Sequence, residues 1–334
     1  MSKNFRRASA ALLAALTAAS LVACSSEQAP QGGGDASADA GSGTDTITLG
    51  FSQVGAESGW RAANTKSIKD TLTKDNGFDL KFSDAQQKQE NQIQAIRSYI
   101  QQGVDVIAFS PVVETGWDAV LEEAKSAGIP VILTDRAVNS PDDTLYESFI
   151  GSDFVEEGKR AGEWAKEQYD GQGFKAVELQ GTTGAAPMID RQKGFAEAIK
   201  GSDIEMIDSQ TGNFTRTEGK QVMEGFLQKY DDIDLVFAHN DDMGLGAIEA
   251  IEAAGKVPGK DIKIITVDGV KDGMQALADG KINYIVECNP LLGPDLAEIA
   301  KKVVAGDAVE KRIVTQDEAF DQEAAKAALP DRQY

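Results

Sequence analysis

One histidine, His239, and two cysteines, Cys24 and Cys288, are all that 334 residues hold of those two types. A single His leaves almost no material for His-based triads or multi-His metal sites. Basic residues are also short, 33 against 54 acids, for a formal net charge of −21. That argues against a nucleic-acid partner, whose phosphates need Lys and Arg patches. The acidity itself asks for no more than solubility. No Gly-x-Ser-x-Gly elbow follows a strand pattern, and no Gly-rich loop ends in Lys-Ser/Thr. Gly181-Thr182-Thr183-Gly184 lies between a strand and a helix and could cradle an anion, but it lacks a basic partner and reads as a plain turn. Asp241-Asp242 reads as cap and dipole partners of a helix start. Catalysis therefore has little support, and no enzyme activity, cofactor or metal is expected.

What is present begins with Lys3, Arg6 and Arg7 ahead of an apolar, small-residued run over 8–23. The run is too short for a stable membrane span and reads as a signal peptide over 1–23. Leu21-Val22-Ala23-Cys24 matches the lipobox of bacterial lipoproteins, which makes Cys24 the expected lipidation site. Residues 24–45, rich in Ser, Gly, Ala, Asp and Gln, read as a flexible tether. The expected location is extracytoplasmic, with the lipid holding the chain to the outer face of the cell membrane. With Cys24 lipidated, Cys288 has no disulfide partner and is expected to be a buried structural thiol.

The remainder alternates apolar runs of strand length with helical patterns. Strands are predicted over 47–52, 78–82, 104–109, 129–134 and 145–150. Helices are predicted between them over 59–75, 88–102 and 115–127. The pattern then restarts: helices over 153–169, 188–200, 215–230, 241–254 and 271–279, and strands over 176–180, 204–208, 235–238, 262–267 and 283–287. A helix over 293–304, a strand over 312–315 and a weak helix over 321–328 close the chain. Such alternation predicts an α/β fold of two Rossmann-like, doubly wound parallel-sheet halves.

In sheets of this kind ligands bind beyond the carboxyl ends of the strands. Ile129-Pro130-Val131-Ile132-Leu133-Thr134 runs directly into Asp135-Arg136. That pair can accept from one hydroxyl and donate to the next, as a sugar diol requires. The same grammar recurs. Gln53 and Glu57 follow the first strand, and Asp84 and Gln86 the second. In the second half come Arg191, Asn240, Asp268 and Glu287. Planar polar groups recognise hydroxyls through fixed hydrogen bonds. Trp60 and Phe214 are candidates to stack on a sugar ring, the alternatives being a core residue of its helix for Trp60 and a turn anchor for Phe214.

From about Thr46 to the end the chain resembles the periplasmic sugar-binding proteins of ABC importers, the ribose/galactose-type class (periplasmic binding protein type I). The resemblance is carried by Thr134-Asp135-Arg136, Glu178-Leu179-Gln180-Gly181, Asp190-Arg191-Gln192-Lys193-Gly194-Phe195, Ala238-His239-Asn240-Asp241-Asp242-Met243 and Val267-Asp268-Gly269. Three further segments look like the galactofuranose-binding branch of that class. They are Phe51-Ser52-Gln53-Val54-Gly55-Ala56-Glu57-Ser58-Gly59-Trp60-Arg61, Gln86-Gln87-Lys88-Gln89-Glu90-Asn91-Gln92 and Pro111-Val112-Val113-Glu114-Thr115-Gly116-Trp117.

The resemblance implies two lobes joined by a three-segment hinge, residues 46–152 plus 288–316 and residues 153–287 plus 317–334, with a monosaccharide between them. It implies Asp135, Arg136, Arg191, Asn240, Asp268 and Glu287 on the hydroxyls and Trp60 and Phe214 on the ring. Glu57, Arg61 and Gln86, inside the matching segments, are counted with the site. Glu287 stands where ribose binders carry an amide and Trp60-Arg61 where they carry paired aromatics, which points away from ribose. The calcium loop of the glucose/galactose binder is not recognisable. The implied partners are the permease subunits of an ABC transporter, with the protein a monomer. A sensor presenting the sugar to a signalling receptor is the alternative that the residues leave open; an enzyme on the same fold is a further one. A sugar-responsive repressor would need a helix-turn-helix where the signal peptide and tether stand.

Overall fold

The computed structural model describes residues 46–168, 171 and 173–334. The predicted signal peptide, Cys24 and the tether lie outside the described residues. The chain begins with β1 (Ile47–Gln53), α1 (Gly59–Thr71), β2 (Phe78–Asp84), α2 (Gln89–Gln102), β3 (Val106–Phe109), α3 (Asp118–Ser126), β4 (Val131–Thr134) and β5 (Ser148–Gly151). It continues through α4 (Phe154–Gln168), β6 (Phe174–Gln180), α5 (Ala186–Ile199), β7 (Ile204–Thr211), α6 (Arg216–Lys229), β8 (Leu235–Ala238), α7 (Asp241–Ala253), β9 (Lys263–Asp268), α8 (Lys271–Ala278) and β10 (Tyr284–Glu287). It ends with α9 (Gly293–Ala305), β11 (Arg312–Val314), β12 (Ala319–Phe320) and α10 (Gln322–Ala328).

Local chemistry sets these boundaries. Ser58 caps α1 by accepting from Arg61 N, and Thr215 caps α6 by accepting from Glu218 N. Asp153 Oδ1 accepts from Glu156 N in the first turn of α4, at 3.1 Å. Helix α2 stops at Gly103, which is left-handed, as does α9 at Gly306. Helix α3 starts three residues later than the sequence pattern suggests, after Gly116 at φ 87°.

The strands form two doubly wound six-stranded sheets, ordered β11-β5-β4-β3-β1-β2 and β12-β10-β9-β8-β6-β7. Strands β3, β4 and β8 are buried along their whole length, which is why they read as unbroken apolar runs. All pairings are parallel except β10 with β12, where Ile285 faces Phe320 and Val286 faces Ala319. That short antiparallel edge was not anticipated: two residues are too few to show a period. The chain passes between the sheets three times, after β5, after β10 and after β11. Two doubly wound α/β lobes result.

Each sheet is covered on both faces. In the first lobe, Ile68 of α1, Leu72 just past its end, and Leu296 and Ile299 of α9 pack with Leu49, Phe51 and Val106. On the other face Ile96, Tyr99, Val120 and Leu121 pack with Ile107, Phe109 and Leu133. In the second lobe Phe154, Ala161 and Phe195 pack on Phe237 and Ile265, and Met223, Met243 and Ile251 on Val236 and Ile264. Helices α4 and α5 cross in near backbone contact. A Cβ on Gly158 would fall 2.1 Å from the Arg191 carbonyl oxygen, and one on Gly194 would fall 2.0 Å from that of Val155. This approach brings Glu157 of α4 beside Arg191 of α5.

Candidate ligand-binding site

The carboxyl ends of β4, β8 and β9 and the start of α1 converge on one cleft between the lobes. Three carboxylates (Glu57, Asp135, Asp268) and three guanidinium groups (Arg61, Arg136, Arg191) line it. Trp60, Phe214, Asn240 and Cys288 complete most of the wall.

The first lobe contributes a connected ion network. Arg61 is central: Nη2 donates to Asp135 Oδ2 at 2.7 Å, Nε to Glu57 Oε1 at 3.0 Å, and Nη1 to Gln53 Oε1 at 3.1 Å. Ser110 Oγ donates to the same Asp135 oxygen at 2.8 Å. Burial works against the Arg61 charge, but Asp135 and Glu57 outweigh it and hold its pKa above the ordinary arginine value. Burial also pushes the Asp135 carboxyl up, and Arg61 and Arg136 more than offset that, so it lies below the usual range. Arg136 is pushed down to about 10 by burial and by Arg61. It lies over the Phe214 ring, 5.2 Å from the centroid, and donates to the Val112 carbonyl at 3.2 Å.

The second lobe is less saturated. Arg191 Nε donates to Glu157 Oε2 at 2.7 Å and Nη1 to the His239 carbonyl at 2.5 Å. Asn240 caps α7 by accepting from Met243 N, while its Nδ2 donates to the Phe214 carbonyl at 3.1 Å. The ring of His239 is fully buried: Nδ1 accepts from Gly181 N and Nε2 faces Glu178 Oε1 at 3.0 Å. Burial holds that imidazole below its ordinary pKa, consistent with a neutral ring donating to Glu178. Asp268 Oδ2 has no hydrogen-bond partner among the described residues. Burial pushes Asp268 well above the usual carboxylate range, Arg191 opposes this, and Asp241 and Asp242 add to it. Glu57 Oε2 and Arg136 Nε are likewise buried without a hydrogen-bond partner among the described residues, although Arg136 Nε lies 3.7 Å from Asp135 Oδ2.

Nine of the eleven candidate residues thus meet at one place: Glu57, Trp60, Arg61, Asp135, Arg136, Arg191, Phe214, Asn240 and Asp268. The other two do not line it. Gln86 is exposed, in a left-handed turn after the edge strand β2, where Asp84 Oδ1 accepts from its N–H. An edge strand ends to the side of the cleft. Glu287 is buried, but Arg332 and Tyr334 occupy its carboxylate. Trp60 serves two ends: its ring lies at the cleft beneath the Arg61 guanidinium, and Nε1 donates to the Cys288 carbonyl at 2.6 Å. Cys288 is a buried free thiol. Two residues escaped the sequence reading. Ser110 follows β3 and could have been found by the strand-end rule. Glu157 could not, because two acids in a first helical turn look like dipole partners.

Across the cleft Gly59 N donates to Asp242 Oδ2 at 2.7 Å and Glu114 N to the Gly184 carbonyl at 2.9 Å. The lobes are closed on each other. Two doubly wound lobes, three crossovers and a charge-balanced site between them define a hinged binding protein. The chain belongs to the periplasmic binding protein family: the periplasmic binding protein domain matches residues 49–308, and the fold is that of type I.

Among its relatives, the galactofuranose-binding protein YtfQ of Escherichia coli is 48% identical over 288 residues, covering 85% of this chain and 90% of that protein. A structure from Mycobacterium smegmatis in complex with β-D-fucofuranose is 66% identical, with a TM-score of 0.84, over 86% of this chain and 95% of the other. The binding protein of an arabinose ABC transporter from Shewanella sp. ANA-3, bound to α- and β-L-arabinofuranose, is 48% identical, with a TM-score of 0.82, over 86% of this chain and 96% of the other.

Proposed function

We propose that this protein captures a monosaccharide in its five-membered, furanose ring form and delivers it to the permease of an ABC transporter. The observation that carries the reading is the set of buried atoms without a hydrogen bond on residues that line one space: Glu57 Oε2 and Arg136 Nε from one lobe, Asp268 Oδ2 from the other. An unmade hydrogen bond at a buried group is costly, so these atoms call for a ligand with both donors and acceptors. The charges there balance, which favours a neutral polyol over an acid, an amine or a phosphate ester. Trp60 and Phe214 offer ring faces for the C–H side of a sugar. The three relatives described above are named for, or bound to, galactofuranose, fucofuranose and arabinofuranose, and this supports the choice of ring form.

In this reading Glu57, Asp135 and Asp268 accept from sugar hydroxyls and Arg136 and Arg191 donate to them. Arg61 is held by Asp135, Glu57 and Gln53 and keeps the two acids in place. No chemical step is required; closing the lobes is the function, because a ligand that touches both halves favours the closed state. The lipidated Cys24 and the tether would hold the protein, as a monomer, at the outer face of the membrane beside its permease.

Calorimetry or thermal shift against pentoses and hexoses locked in furanose or pyranose form is the test. Tight binding of furanose forms is expected, and binding of only an amino acid or a phosphate ester overturns the reading. Mass spectrometry of the protein from its native membrane should find Cys24 lipidated and first in the mature chain; an unmodified start elsewhere removes the anchor.

A further inference from the structure

Asp268 and Glu287 stand side by side in register, at the ends of the parallel strands β9 and β10. Asp268 faces the cleft with no partner, whereas Glu287 is fully engaged. Its Oε1 accepts from Arg332 Nη1 at 2.7 Å and from the Tyr334 hydroxyl at 2.6 Å, and its Oε2 from Glu318 N at 2.9 Å. Arg332 also donates from Nε to the Gly269 carbonyl at 2.6 Å. The guanidinium lies over the rings of Tyr334 and Phe320, 4.1 and 5.2 Å from their centroids, so it is packed as well as paired. It covers Gly269 so closely that a Cβ there would fall 2.4 Å from Nη2.

The opposite side of the same turn is held by Asp241, whose Oδ2 accepts from Gly269 N at 2.8 Å and Val270 N at 2.7 Å. The turn that presents Asp268 is therefore gripped from both sides. Asp268 needs such a grip. Its φ is 125°, in a region that favours glycine, and a strained backbone of this kind persists only where its surroundings over-determine it.

We propose that Arg332 is a positioning residue of the ligand site. Through Glu287 and the Gly269 carbonyl it fixes the turn that aims Asp268 into the cleft, so affinity depends on a side chain at the far end of the chain that never touches the ligand. The inference rests on the sugar-binding reading above.

Calorimetric titration of the full chain with L-arabinose and D-galactose tests it in a double-mutant cycle of Arg332→Met and Asp268→Asn. Arg332→Met should weaken binding about tenfold, and in the Asp268→Asn background it should add nothing, because the two act through one group. Arg332→Lys should recover only part of the loss, since an ammonium cannot serve both Glu287 and Gly269 as the planar fork does. Additive losses, or wild-type affinity in Arg332→Met, overturn the proposal. Should Arg332→Met fail to fold, Glu287→Gln replaces it in the cycle with the same expected non-additivity. A wild-type protein that binds no sugar overturns the sugar-binding reading and this inference with it.

Discussion

Asp135 and Asp268 each end or follow a parallel strand at the cleft, one from each lobe, and their surroundings differ sharply. Asp135 is met by Arg61, Ser110 and Arg136 and lies below the usual carboxylate range. Asp268 Oδ2 has no hydrogen bond among the described residues, and with neighbouring acids in Asp241 and Asp242 and burial the carboxyl is held well above that range. Around Asp135 the first lobe is therefore paired and pre-organised, while Glu57 Oε2 and Arg136 Nε beside it keep free hydrogen-bonding capacity. The second keeps an unsatisfied acid in a strained backbone, and a ligand hydroxyl is what completes it. Structural and binding roles should separate along this line.

The largest effect should come from Asp135→Ala. It leaves Arg61 and Arg136 buried with only Glu57 of their two shared counter-charges, and breaking a buried pair costs about 3–5 kcal/mol. Urea unfolding should show that loss in stability, together with loss of sugar binding. A variant of wild-type stability would erase the contrast between the lobes.

Next is Asp268→Asn. Losing a hydrogen bond to a charged group costs about 1.5–3 kcal/mol, or roughly ten- to a hundredfold or more in Kd. Stability should hold or rise. Because burial raises this pKa in the folded state, the native protein binds more protons than the unfolded one at pH values above the ordinary Asp range. That contribution to stability is present at low pH and is lost as pH rises through the folded pKa. Replacing Asp268 should flatten this decline between acid and neutral pH in thermal melts without sugar. A variant that melts well below wild type at neutral pH would make Asp268 structural, like Asp135.

A smaller effect is expected from Trp60→Phe, which keeps an aromatic face but drops the bond to the Cys288 carbonyl at the crossover after β10. One hydrogen bond contributes about 0.5–1.5 kcal/mol, so affinity should fall between about twofold and tenfold. Unchanged affinity with a sharply lower melting point would make Trp60 a core residue only.

Smaller again is Asp242→Ala, which removes the bond from Gly59 N across the cleft mouth. Asp242 touches no ligand in this reading, so the change should show as a larger fraction of open molecules at subsaturating sugar, read by small-angle scattering. Closure at wild-type sugar concentrations would show that the bond follows closure without favouring it. Gln86→Ala, at an exposed turn, should change affinity by no more than about 0.5 kcal/mol.

Much of this molecule is legible in one dimension. Strand and helix identity followed from runs such as Val131–Thr134 and from stops such as Gly103, because burial on both faces and left-handed caps act on neighbouring residues. The strand-end rule placed Asp135, Arg136, Asn240 and Asp268 at one cleft because parallel topology delivers the carboxyl ends of strands to one edge. Which polar residue is free to meet a ligand is a different matter, decided by contacts between residues far apart in the chain. Glu287 reads as a ligand acid until Arg332 and Tyr334 take its carboxylate, 45 and 47 residues on. Gln86 reads as a site residue until β2 proves to be a sheet edge. Glu157 reads as a helix-dipole partner until the glycine-mediated crossing of α4 and α5 sets it against Arg191. The sequence by itself determined the lobes and the strand ends, since propensity and periodicity are local. Only the tertiary structure decided which of the charges are satisfied, since a buried ion finds its partner through space.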